Sequence, residues 1–251
     1  GKGNDGVVNG ATWNASGWFD FDGSDKKIVV DDENLRTVGF GSHAIEAWVY
    51  PNSKVEEDFV STGTSEGAVL LMIFSQAGGG AGGFRGHSWS TTASNVIDSP
   101  ISITLNQWHH LVQVVDYDAG YIKLYENGVE TASLSLVGSA PTSHYDPDKR
   151  FVIGSRYSNV STNSNIDGRI GEVRVYPRAL TPAQVFQNYN ATKSKYINEA
   201  PDIAPKISDS AIVYDSNLLL NYDFGNPATY DTRFAGTYGN PTTVKNLSST
   251  S

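Results

Sequence analysis

From His43 to Tyr50 the chain alternates. Ala44, Glu46, Trp48 and Tyr50 fall on one face, Ile45, Ala47 and Val49 on the other, and Pro51 ends the run. Trp108–Asp116 repeats the pattern, with Trp108, His110, Val112 and Val114 set against His109, Leu111, Gln113 and Val115. Residues 18–22, 27–31, 121–125, 151–154 and 170–176 read as further strands, and the continuous apolar run Val69–Phe74 reads as a central one. Asn127-Gly128 is a tight hairpin signal between Lys123–Tyr125 and Val129–Leu134. Residues 1–17 and the glycine-rich stretch 77–83 read as loop. Strands recurring about every ten residues with turns between them predict two antiparallel sheets packed as a sandwich.

One helix interrupts the strands. Thr181 has the chemistry of an N-cap, Pro182 suits the first helical position, and Gln184 completes a capping box, so a helix is expected over about 182–195. Composition then shifts. Residues 1–196 form the expected sandwich, and 197–211, with Pro201 and Pro205, form a linker. Residues 212–251 supply a strand and a tail that complete a sandwich, either their own or that of a neighbouring copy.

Composition narrows the function. The 251 residues hold 39% apolar side chains, enough for a core. The net charge of −9, from 27 acidic and 18 basic residues, disfavours a phosphate-backbone partner. With no cysteine, disulfides and Cys-ligated zinc are excluded. No apolar run approaches the length of a membrane span. The start at Gly1 suggests a processed product or a piece of a longer polypeptide.

Five segments in order resemble the laminin-G-like / concanavalin A-like lectin superfamily. They are Phe21-Asp22-Gly23, Ile45–Val49, Gln107–Val112, Lys123–Gly128 and Asp167–Tyr176 with Arg178–Thr181 after it. The resemblance covers about residues 5–196 and implies an all-β, two-sheet antiparallel jelly roll. Its nearest variety occurs in tailed-phage structural proteins and bacterial surface proteins. In that variety a strand like Leu218–Asp223 opens the domain, whereas here it stands near the C-terminus. That order implies a circular permutation or one period of a tandem array.

The resemblance implies a calcium ion near Asp22 and Asp167, each beside a glycine at a strand end, with Asp116 and Asp118 as the alternative pair. Asp-Gly is also ordinary turn chemistry. A retaining glycosidase needs two carboxylates about 5–5.5 Å apart. The strands read above carry lone acids (Glu46, Glu126, Glu172), and Glu56–Asp58 sits in a loop-like stretch, so no catalysis is expected. The five histidines make no zinc-binding spacing. For glycans, Trp89, Tyr157, Asn159 and Asn163 are the expected contacts on exposed loops, while Trp18, Trp48 and Trp108 read as core.

The expectation is therefore a non-catalytic structural or adhesive module of a virion appendage or surface fibre, extracellular or on a virion surface. Its partners are other copies of itself and surface glycans. A carbohydrate-binding module of a larger secreted enzyme, or a glycoside hydrolase, are the alternatives. Leu218, Leu220, Tyr222 and Phe224 form one face of the assembly strand, with donation to a neighbouring copy favoured over self-closure.

Overall fold

The alternating segments pair into two antiparallel sheets lying face to face. A computed structural model describes residues 5–53, 57–62, 69–74, 82–142, 150–156, 164–197, 220–223 and 243–244. In chain order the strands are β1 (Gly6–Asn9), β2 (Thr12–Asn14), β3 (Trp18–Asp22), β4 (Lys27–Val30), β5 (His43–Pro51) and β6 (Glu57–Ser61). Next come β7 (Val69–Phe74), β8 (Gly83–Trp89), β9 (Ser94–Asp98), β10 (His109–Asp116), β11 (Tyr121–Glu126) and β12 (Val129–Ser135). The last are β13 (Phe151–Ile153), β14 (Asp167–Tyr176), β15 (Leu220–Asp223) and β16 (Thr243–Val244). The helices are α1 (Glu33–Arg36) and α2 (Pro182–Tyr196).

The first sheet runs β16-β1-β4-β13-β6-β7-β8-β9, and the second runs β12-β11-β10-β5-β14-β3-β2 with β15 also on β14. Between them, Phe19, Phe21, Ile45, Val49, Leu111 and Val173 of the second sheet meet Ile28, Val30, Phe59, Phe84 and Phe151 of the first. The period of two therefore puts one face of each strand into this core. A smaller apolar cluster lies outside the second sheet, where Ala44, Val112, Val114 and Tyr176 meet Leu180 and Val185 at the start of α2. Ala44 to Val49 is consequently buried on both faces although its sequence alternates.

The helix starts as the pattern predicts. The Thr181 hydroxyl accepts from the Gln184 N–H and the Gln184 amide oxygen accepts from the Thr181 N–H. Among the described residues no helix is long and apolar enough to cross a membrane.

Several readings change. Residues 6–9 and 12–14 are strands, not loop: β1 lies against β4, and β2 is an edge beside β3. The acids Glu57 and Asp58 are in strand β6, at an irregularity in its pairing with β7. Trp89 ends strand β8 and is not on a loop. α1 is a second, one-turn helix whose Asp32 carboxylate accepts from the N–H groups of Asn34 and Leu35. Four residues are too few to show a helical period, so only the cap could have signalled it.

β14 organises the second sheet. One edge pairs with β5 over Gly168–Tyr176. The other is shared, with β3 taking Asp167–Ile170 and β15 taking Glu172–Val175. Leu220 and Tyr222 are fully buried, so in this structure the late strand lies in the sheet of its own chain. Leu218 and Phe224, also expected on that strand, lie outside the described residues. β16 pairs with β1, setting Val244 opposite Gly6.

Candidate functional site

The outer face of the second sheet carries rows of side chains that cross β10, β5 and β14. One row places Val112, Glu46 and Arg174 side by side, and the next places His110, Trp48 and Glu172. α2 covers both. Arg174 donates to Glu46 at 2.6 Å and to Glu172 at 2.5 Å, and all three are buried. From α2, Asn188 donates to Glu46 at 2.7 Å and Lys195 to Glu172 at 3.0 Å. Trp48 Nε1 donates to the Thr192 hydroxyl at 2.8 Å. Burial alone would push the Glu46 carboxyl up, but the charge of Arg174 and the nearby His110 outweigh it and hold Glu46 at about 2.

Past the last turn of α2 the face opens. There the register sets Trp108 beyond His109, Tyr50 opposite Arg169, and Arg169 opposite Asp20. Trp108, Tyr50, Arg169 and Asp20, with Trp18, are only half-buried. Arg169 donates to Asp20 at 3.0 Å and lies 4.6 Å from the Tyr50 ring centroid and 5.4 Å from that of Trp18. Trp108 packs 5.5 Å from Tyr50, 5.6 Å from Trp18 and 4.7 Å from Tyr196, centroid to centroid. A cavity of about 340 Å³ opens here, lined by Tyr50, Gln107, Trp108, Asn127, Tyr196 and Ile197.

Two backbone features build this site. The register slips between Ile170 and Glu172, leaving Gly171 as an extra residue under Tyr196. A methyl group at Gly171 would overlap the Tyr196 ring edge, so glycine is what admits the ring. Asn127 holds the left-handed position of the β11–β12 turn, at φ 51°, and its side-chain oxygen accepts from the His110 N–H at 3.0 Å. That fixes its amide group at the cavity wall and leaves the NH2 end to donate.

The expected calcium pair is adjacent, since Asp22 and Asp167 are cross-strand partners. Their carboxylates are otherwise engaged. Asp22 pairs with Lys26 at 2.8 Å and accepts from Ser24, which holds it low, at about 2. Asp167 accepts from Asn52 at 3.0 Å. Among the described residues no three acidic, histidine or cysteine side chains gather as a metal would need. Asp116 accepts from the N–H groups of Asp118 and Ala119, which is turn chemistry. Glu57 lies near Asp167. Burial, with the charge of Asp167 adding to it, pushes its carboxyl up to about 7.

Of the expected glycan contacts, Trp89 is half-buried and stacks on His87 with centroids 3.4 Å apart. Tyr157, Asn159 and Asn163 lie outside the described residues. Trp48 is buried, but beneath α2 and not between the sheets, while Trp18 and Trp108 are half-buried on the outer face and not in the core. The open aromatic row was not foreseen. The alternation already placed Trp48 with Tyr50 and His110 with Trp108, but nothing local marks where the helix stops covering them.

No curated protein sequence matches the chain. The fold is shared with the binding domain of Paraclostridial Mosquitocidal Protein 1 at a TM-score of 0.57 and 18% identity, over 75% of this chain and 47% of that one. It is shared with a candidate carbohydrate binding protein from Bacteroides ovatus at a TM-score of 0.55 and 18% identity, over 97% and 60%. The botulinum neurotoxin serotype D binding domain follows at 0.52 and 17%, over 74% and 46%. This chain spans less than two thirds of each. Residues 22–186 match the family model of the concanavalin A-like lectin/glucanases superfamily, and the chain belongs to that superfamily.

Proposed function

We propose that the chain is a non-catalytic carbohydrate-binding module acting outside the cell. The observation that carries this reading is the half-buried aromatic and amide cavity at Tyr50, Gln107, Trp108, Asn127 and Tyr196. A sugar ring has an apolar C–H face that packs on aromatic rings and hydroxyls that accept and donate to amides. Glu46 and Glu172 are bridged by Arg174 beneath α2 and closed to solvent. They cannot flank a glycosidic bond as a hydrolase pair does.

A glycan array probed with the chain and its Tyr50→Ala and Trp89→Ala variants tests the reading. Binding lost with Tyr50→Ala supports the cavity. Binding lost only with Trp89→Ala moves the site to the outer face of the first sheet, and no binding by the parent chain ends the reading.

Two finer proposals ride on this one. The first is an adhesive role in a surface fibre or virion appendage, with copies joined by exchange of the β15 segment. The strand is held by four residue pairs and its two inward side chains are fully buried, so an identical socket on a neighbour would accept it equally. Light scattering on the purified chain should then show assembly, whereas a stable monomer with protected 220–223 amides excludes exchange. The second is calcium at Asp22 and Asp167, which must displace Lys26 and Asn52. A melting temperature indifferent to EDTA and to added calcium excludes it.

A further inference from the structure

We propose that the cavity receives the terminal unit of a short, uncharged glycan and does not bind the flat face of a long or crystalline one. This deepens, and rests on, the carbohydrate-binding reading.

Shape is the first argument. A flat polymer surface is met by aromatic rings lying in one plane. Here the ring planes cross steeply, at 64° for Tyr50 and Trp108, 59° for Trp18 and Trp108, and 52° for Trp108 and Tyr196. Such rings make the walls of a corner. The cavity measures about 340 Å³, close to the lower limit of roughly 300 Å³ for small-molecule pockets. One side is shut, because Tyr196 and Ile197 stand at the end of α2 and the helix covers the next row of the sheet. A glycan lying along the strands would therefore meet the end of the helix.

Charge is the second argument. None of the lining side chains is ionisable in the neutral range. Arg169, which lies over the lining ring of Tyr50, is matched by Asp20 and spread over the faces of Tyr50 and Trp18. Among the described residues lining the cavity a sialic or uronic acid would find no positive group, and it would approach a chain of net charge −9. The polar groups on offer are the exposed Gln107 amide and the Asn127 NH2, both suited to hydroxyls.

The test is calorimetric titration with neutral oligosaccharides from disaccharide to hexasaccharide, chosen from the neutral hits of the array. Acidic oligosaccharides of matched length and co-sedimentation with microcrystalline cellulose and chitin complete the set. The inference expects neutral ligands to bind, with affinity changing less than about threefold from disaccharide to hexasaccharide. It also expects a loss of about tenfold or more in Tyr196→Ala. Gln107→Ala is the second variant; its side chain is exposed, so it tests the cavity without threatening the fold.

Affinity rising about tenfold or more with length, sedimentation with a crystalline polymer, or preference for acidic sugars overturns terminal recognition while leaving carbohydrate binding intact. Binding unchanged in both variants overturns the assignment to this cavity. Failure of every glycan, neutral or acidic, overturns the underlying reading as well.

Discussion

The outer face of the second sheet is one surface with two fates. Under α2 it carries Glu46, Arg174 and Glu172, bonded to one another, with His110 and Trp48 buried beside them. Immediately past the helix it carries Tyr50, Trp108, Arg169, Trp18 and Asp20, half-buried and partly free of partners from the helix. The strands are the same and so is the mixture of aromatic and charged side chains. What differs is a lid. Covered charges must be matched atom for atom, because an unmatched one costs several kcal/mol. Uncovered ones need only be loosely paired, and their aromatic neighbours keep a face for a ligand. The helix thus divides a structural network from a recognition surface.

The largest break in this comparison is Arg174→Met. Glu46 and Glu172 would be left facing each other without their shared cation, and stability should fall by about 3–5 kcal/mol in chemical denaturation. Adding Glu46→Gln should recover part of that loss. Acid tests the same network next. Glu46 titrates near 2 when folded, against an ordinary value of 4.5. Its contribution is therefore complete above pH 4.5 and is lost as pH falls towards 2. The parent chain should lose on the order of 3 kcal/mol over that range, and Glu46→Gln should show a flatter profile.

Glu57 sharpens the comparison from the other direction. It is as buried as Glu46, but no described cation pairs with it, and it titrates near 7. A raised value contributes stability that is complete below 4.5 and is lost as pH rises through 7. Glu57→Gln should therefore stabilise by up to about 3 kcal/mol at pH 8.5 and by little at pH 5, as read by thermal melts at both values. In the open row the effects on stability should be small. Arg169→Gln removes a partly exposed pair worth about 0–1 kcal/mol. Its melting temperature should barely move, while glycan affinity reports the loss of the guanidinium that spans Tyr50 and Trp18.

The strands that define the sandwich were legible because a core face and an outer face alternate with period two. Pro51 and Asn127-Gly128 end them with chemistry that is purely local. α2 was legible for the same reason, since Thr181 and Gln184 form a box within one turn. β1, β2 and α1 were missed because three or four residues give no period to read. The cavity was missed for a different cause. Tyr196 reaches Trp108 only because Gly171 is squeezed out of the β14 ladder, and a bulge is a property of two paired strands, not of one. Asp22 and Asp167 were correctly read as strand-end aspartates, but Lys26 and Asn52, which occupy them, come from a turn and from the neighbouring strand end.

The sharing of one β14 edge between β3 and β15 has a consequence for how the molecule comes into being. Val173 and Val175 sit near the middle of the second sheet, yet their neighbours on one side, Tyr222 and Leu220, are made about fifty residues later. During synthesis on a ribosome the sheet must wait with a seam open until that late segment emerges. A nascent chain stalled before residue 220 would expose an apolar slot flanked by unpaired backbone groups, and it should recruit chaperones or aggregate. Release of the full chain should close the seam as a slow, final folding phase.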